Sequence, residues 1–168
     1  MGRSRGGLTT KIHALVDAEG RPIRLKLSEG QAHDGRSAID MFETLEAGHI
    51  LLADRAYDSD ALRNTMAERG AWANIRAMPK RVKTFPFSPW VYRQRNAVER
   101  FFNKLKHFRA VATRYDKRDD NFLASVQLAS IRIWLRTYES SGNLWPLLSE
   151  LKDGSHFRLS KTEGRKQP

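Results

Sequence analysis

Residues 49–78 read HILLADRAYDSDALRNTMAERGAWANIRAM. Ile50 to Ala53 is a short apolar run that ends on a carboxylate, Asp54, the pattern of a buried strand. Ser59 can cap a helix in which Leu62 and Met66 lie four residues apart on one face, and Gly70 can close it. Trp72 to Met78 then reads as a second strand. Strand, helix and strand within thirty residues predict a mixed α/β fold with helices packed on a small sheet.

Toward the N-terminus, Leu8 to Val16 alternates, with Leu8, Ile12, Ala14 and Val16 on one face. Asp17 to Gly20 supplies turn chemistry, and Ile23, Leu25 and Leu27 alternate with Arg24, Lys26 and Ser28, so the two runs predict an antiparallel hairpin. Gly35 to Ala47 predicts a helix with Ile39, Phe42 and Leu45 at three-residue spacing. Toward the C-terminus, Pro79 to Pro89 is a proline-rich basic linker and Trp90 to Arg109 is strongly helical. Asp119 or Asp120 caps a long helix reaching about Glu139. The expected organisation is one domain over residues 1–140 and a C-terminal extension over 141–168. The polar stretch from about Lys152 to Pro168 is expected to be partly disordered.

Composition narrows the chemistry. The 168 residues include no Cys, which excludes disulfide scaffolds, Cys-ligated zinc or iron–sulfur sites and thiol catalysis. No apolar run approaches the length of a membrane span, and the first thirty residues lack the apolar core of a secretory signal. A cytoplasmic, nucleoid-associated protein is expected. The net charge is +11, and it is local: Arg76 to Arg118 holds thirteen bases against Glu99 and Asp116, whereas bases and acids balance over the rest. Such a window is either a solvated basic face or a surface for phosphates. A phosphate surface would show a salt slope of about −0.9 per phosphate contacted.

Tyr92, Arg95, Glu99 and Lys106 follow one another by three, four and seven residues, which on an α-helix places them on one stripe. Val98, Phe101, Phe102, Leu105 and Phe108 form the opposite, apolar face. Spacing alone leaves Glu99 open between a salt-bridge partner of Arg95 or Lys106 and a metal ligand facing a phosphodiester. Asp54, at the carboxyl end of a predicted strand, is open between a turn or cap residue and a ligand at the strand end, where sites gather in open α/β sheets. Asp58 is expected to cap the following helix, Asp17 to sit in the hairpin turn, and His33 and Asp34 to lie in a loop.

With these residues in place, the chain resembles the catalytic part of bacterial insertion-sequence transposases with an Asp-Asp-Glu site, in the group marked by a Tyr-Arg-Glu-Lys signature. Tyr92, Arg95, Glu99 and Lys106 meet every spacing of that signature. The blocks GRSRGGLTTKIHALVDAEGRP, GQAHD, LLADRAYDSDALR and YRQRNAVERFFNKLKHFRAVATRYDKRDDNF occur in the family's order, and the likeness runs from about Gly2 to Tyr138. Ala56 stands where the family pattern has Gly. The resemblance implies an RNase H-like mixed sheet flanked by helices, with a C-terminal helical segment. It implies that Asp54 and Glu99 are the second and third catalytic carboxylates and metal ligands, and that Tyr92, Arg95 and Lys106 handle DNA near the cleaved phosphate. It further implies Mg²⁺ as cofactor, double-stranded DNA at element ends and targets as substrate, and a homo-oligomer as the active complex.

The family's first catalytic Asp lies on the first, central strand, upstream of the block with which this chain begins. The resemblance therefore implies a sheet missing that strand, with two open edges, and two carboxylates where the chemistry uses three. The expected function is DNA strand cleavage and strand transfer by metal-dependent phosphodiester chemistry, from the downstream part of a split or frameshifted gene whose upstream segment supplies the first Asp. The isolated chain is expected to have little or no strand-transfer activity. The alternative is a non-catalytic DNA-binding fragment of the transposase.

Overall fold

The computed structural model describes residues 2–4, 7–32, 39–141 and 156–165. The strands are β1 (Gly2–Ser4), β2 (Gly7–Val16), β3 (Pro22–Glu29), β4 (Ile50–Ala53), β5 (Trp72–Ile75) and β6 (His156–Arg165). The helices are α1 (Asp60–Glu68), α2 (Pro89–Tyr92), α3 (Asn96–Lys106), α4 (Arg109–Thr113) and α5 (Asp119–Ser141). Short 3₁₀ segments cover Ile39–Thr44, Arg55–Tyr57 and Arg93–Arg95.

The predicted hairpin forms, with Ile12 opposite Leu27 and Ala14 opposite Leu25. Its turn is held by Asp17, whose Oδ1 accepts the backbone N–H groups of Glu19 and Arg21 at 3.0 and 2.8 Å. Gly20 sits in the turn at φ +83°, and a Cβ there would stand 2.9 Å from the Ala97 carbonyl oxygen. Only a glycine lets the hairpin turn lie this close to the first turn of α3.

The strand–helix–strand stretch also folds as its pattern predicts, although β5 stops at Ile75 rather than Met78. Ser59 caps α1, its Oγ accepting the Leu62 N–H at 3.2 Å, and β4 and β5 pair in parallel. Within the predicted 35–47 helix, residues 33–38 lie outside the described residues and 39–44 form a 3₁₀ segment. The three-residue spacing of Ile39, Phe42 and Leu45 suits its three residues per turn.

Two apolar clusters cover the two faces of the sheet. Leu15, Leu51, Ala53 and Tyr57 join Phe42, Leu45, Leu62 and Met66 on one side. Ile12, Ala14 and Val16 join Val98, Phe101, Phe102, Phe122 and Val126 on the other. The result is a mixed α/β architecture with helices on both faces, in which alternate residues of β2 serve opposite layers.

In the C-terminal extension His156–Arg165 form β6, while residues 142–155 and 166–168, like the His33–Asp34 loop, lie outside the described residues. One expectation does not hold. The sheet expected to lack its central strand has that position filled by β6, antiparallel to β2 and parallel to β4. The strand order is β1-β2-β6-β4-β5, with β3 also paired to β2. The reason is backbone accounting: β2 and β4 each carry a row of N–H and C=O groups on that side, and β6 satisfies both rows.

Candidate active site

β4 ends at Ala53, so Asp54 is the first residue beyond the strand, with extended backbone (φ −63°, ψ 156°). The following 3₁₀ turn is pinned from below. Tyr57 is fully buried, its N–H donates to the Asp54 carbonyl at 2.9 Å, and its hydroxyl lies 2.8 Å from His13 Nδ1 on β2. His13 Nε2 in turn lies 2.7 Å from Ser28 Oγ on β3. The turn that presents Asp54 is thus tied to the hairpin by a buried polar chain, which fixes the direction of its backbone.

The opposite wall is the helical run from Pro89. It is not the single helix predicted over 90–109. A 3₁₀ turn at Arg93–Arg95 separates α2 from α3. Residues three apart eclipse in a 3₁₀ turn, and this stacks Arg95 on Tyr92, with the guanidinium carbon 5.7 Å from the ring centroid. Phe87 packs on the same ring at 5.2 Å. Buried Val98, Phe101, Phe102 and Leu105 anchor α3 on the sheet and leave Glu99 exposed on the side toward Asp54.

The two carboxylates meet at one cation. Arg95 Nη1 lies 2.7 Å from Asp54 Oδ1, and Arg95 Nη2 lies 2.6 Å from Glu99 Oε1. Side-chain exposures are 21% for Arg95, 33% for Asp54 and 49% for Glu99, so the cluster is open to solvent. Partial burial works against the guanidinium charge, but Asp54 and Glu99 outweigh it and hold Arg95 protonated beyond its ordinary range. Burial raises the Tyr92 phenol above its ordinary value, and Asp54 adds to this against the opposing fields of Arg95, Arg76 and Arg55.

Of the five residues singled out in the sequence, the structure brings Asp54, Tyr92, Arg95 and Glu99 together. Lys106 is exposed two turns further along α3, about 10 Å by helix rise, and makes no ion pair among the described residues. No group of three or more His, Cys, Asp and Glu that could hold a metal occurs among the described residues. Asp54 and Glu99 bring two hard carboxylate oxygen donors to the two sides of one guanidinium, and one or two carboxylates completed by water are a donor set of the kind that holds Mg²⁺.

Asp58 does not cap α1, because Ser59 does. Its fully buried carboxylate accepts from Arg63 Nε and Arg81 Nε, each at 2.9 Å, and from the Met78 N–H at 2.7 Å. Sequence reading also missed a groove of about 640 Å³ between α3 and α5. Lys104, His107, Arg109, Arg132 and Arg136 line it, with Phe108 and Ile133 as its apolar part. Arg132 and Arg136 lie outside the basic window of the sequence. Their one available signal was the four-residue spacing that puts them on one face of α5.

Residues 2–134 match the family described as the transposase DDE domain. The chain belongs to that family. This transposase-family chain is 42% identical over 132 residues to a protein of Brucella ovis assigned as a transposase for insertion sequence element IS6501. That alignment covers 77% of this chain and the whole of the relative. It is 27% identical over 146 residues to a protein of Burkholderia cepacia assigned as a transposase for element IS402, covering 80% of this chain and 66% of the relative. No solved structure matches it significantly. No helix of the described transposase residues is long and apolar enough to cross a membrane.

Proposed function

We propose that this transposase-family chain carries metal-dependent phosphodiester chemistry on DNA: strand cleavage at insertion-sequence ends followed by strand transfer. The sheet is read as RNase H-like, with β6 in the place of its central strand. The observation that carries the reading is that Asp54, from the end of β4, and Glu99, from α3, are brought to one guanidinium, that of Arg95.

Asp54 and Glu99 would hold the divalent ion, with Mg²⁺ suited to such hard oxygens. A bound ion supplies a lowered pKa to the attacking water and charge stabilisation to the leaving oxygen. The chain's own residues do the rest. Arg95 and Lys106 would neutralise phosphate oxygens on either side of the reacting one. The Tyr92 phenol, kept protonated by burial, would donate a hydrogen bond to a phosphate. The basic groove beside α5 would carry the flanking duplex by its backbone. The active assembly is read as a multimer on paired ends, in which a third carboxylate would join Asp54 and Glu99 at the ion.

The test is a cleavage assay on an element-end duplex, comparing this chain with an upstream-extended fusion, in Mg²⁺ and in EDTA. The fusion should cleave only with Mg²⁺, and Asp54→Asn or Glu99→Gln should abolish cleavage while leaving salt-sensitive DNA binding. A fusion whose cleavage survives both substitutions would overturn the assignment. A second reading, a non-catalytic DNA-binding fragment, draws on the basic groove alone. It predicts binding without metal-dependent cleavage in either form.

A further inference from the structure

The point between Asp54 and Glu99 already has a cation: the guanidinium of Arg95. Its two terminal nitrogens each take one carboxylate oxygen, at 2.7 and 2.6 Å. A divalent ion of the Mg²⁺ class needs its oxygens at about 2.0–2.1 Å. The oxygens that an ion would take are those the two guanidinium nitrogens now hold, so ion and guanidinium compete for them. The exchange is physically accessible. All three side chains are partly exposed, so water screens the pair and lowers the cost of parting it. Arg95 also closes a 3₁₀ turn rather than lying inside a continuous α-helix, and the Tyr92 ring gives it a second surface to rest on.

A displaced guanidinium needs a new anion. The fork of an arginine fits a phosphate as it fits a carboxylate. The neighbourhood favours a phosphate, since Arg55 and Arg76 bear on Tyr92 electrostatically and the next residue in the chain, Arg93, is exposed. We propose that Arg95 is the resident counter-ion of the Asp54–Glu99 pair, exchanged for a divalent cation as the side chain passes to a DNA phosphate. Metal and DNA binding are then positively coupled through one residue, and by linkage each tightens the other by the same factor. This inference rests on the reading of Asp54 and Glu99 as the ion's ligands.

The experiment measures Mn²⁺ binding to the full chain from the electron spin resonance signal of the free ion, with and without a short duplex. The duplex alone is titrated as a blank. Wild type is compared with Arg95→Gln, Arg95→Lys and Asp54→Asn, each checked for an unchanged thermal midpoint. Arg95→Gln should bind Mn²⁺ about tenfold more tightly than wild type without DNA, within the usual range of coupled sites. The duplex should tighten Mn²⁺ binding to wild type but not to Arg95→Gln, and Arg95→Lys should keep the weak, DNA-sensitive binding. Arg95→Gln binding no more tightly than wild type, with Asp54→Asn still weakening it, would overturn the exchange and spare the ligand assignment. Unchanged binding in Asp54→Asn would overturn the ligand assignment itself, and the exchange with it.

Discussion

The molecule has two charge centres built from the same groups in opposite proportion. At Asp58 one carboxylate serves two guanidiniums and a backbone N–H, and its side chain is fully buried. At Arg95 one guanidinium serves two carboxylates, in the open. The first centre is saturated. Arg63 spends its remaining nitrogens on the Ala73 and Ile75 carbonyls, so α1, β5 and the linker around Arg81 are joined by one network. The second is open to water, with the Asp54 and Glu99 side chains 33% and 49% exposed. Burial with full satisfaction makes an ion pair a structural fastening, and solvent access makes one exchangeable.

Removing one partner from each centre separates the fastening from the exchangeable pair. Asp58→Ala leaves the buried Arg63 without its anion and Arg81 with Asp60 alone, and should cost about 3–5 kcal/mol, read from urea unfolding. A loss below about 1 kcal/mol would show that the hub is not a fastening. Gly20→Ala is next. It introduces a side chain at φ +83° against the Ala97 carbonyl, and should cost about 1–3 kcal/mol by the same measurement. Arg95→Gln should change stability by less than about 1 kcal/mol, as expected of an exposed pair, even though it alters ion binding.

Acid sharpens the contrast. Burial alone would raise the Asp58 carboxyl, but the Met78 N–H and the two guanidiniums outweigh it and hold it below the ordinary carboxylate range. Its folded value lies below its unfolded one, so its contribution is complete above the ordinary value of 3.8 and is lost as pH falls through the lower folded value. Wild type should therefore lose stability over this acid range by more than Asp58→Asn does, as measured by thermal midpoints between about pH 5 and pH 2.

How far the sequence speaks depends on how local the physics is. β4, α1 and β5 are legible because each has its own pattern: an apolar run, an N-cap with four-residue spacing, a second run. The stripe of Tyr92, Arg95 and Glu99 is legible because helix spacing is local, although the 3₁₀ turn within it is not. The Asp58 hub is illegible, since its partners come from α1, the linker and the backbone at Met78, which nothing in the chain order brings together. β6 is harder still. Its sequence HFRLSKTEGR carries four charged residues, whereas strands covered on both faces ordinarily read as continuous apolar runs. It is placed by the unpaired backbone of β2 and β4, which is a property of the fold rather than of the segment.

That placement bears on the order in which the protein can be built. β2 and β4 are joined in the sheet through β6, and β6 follows every other strand in the chain. As a chain is synthesised its N-terminal parts emerge and fold first. Here the β1–β3 half and the β4–β5 half precede the strand that joins them, and they can be zipped together only once β6 has been added, beginning at Arg158 and Leu159, which pair with both β2 and β4.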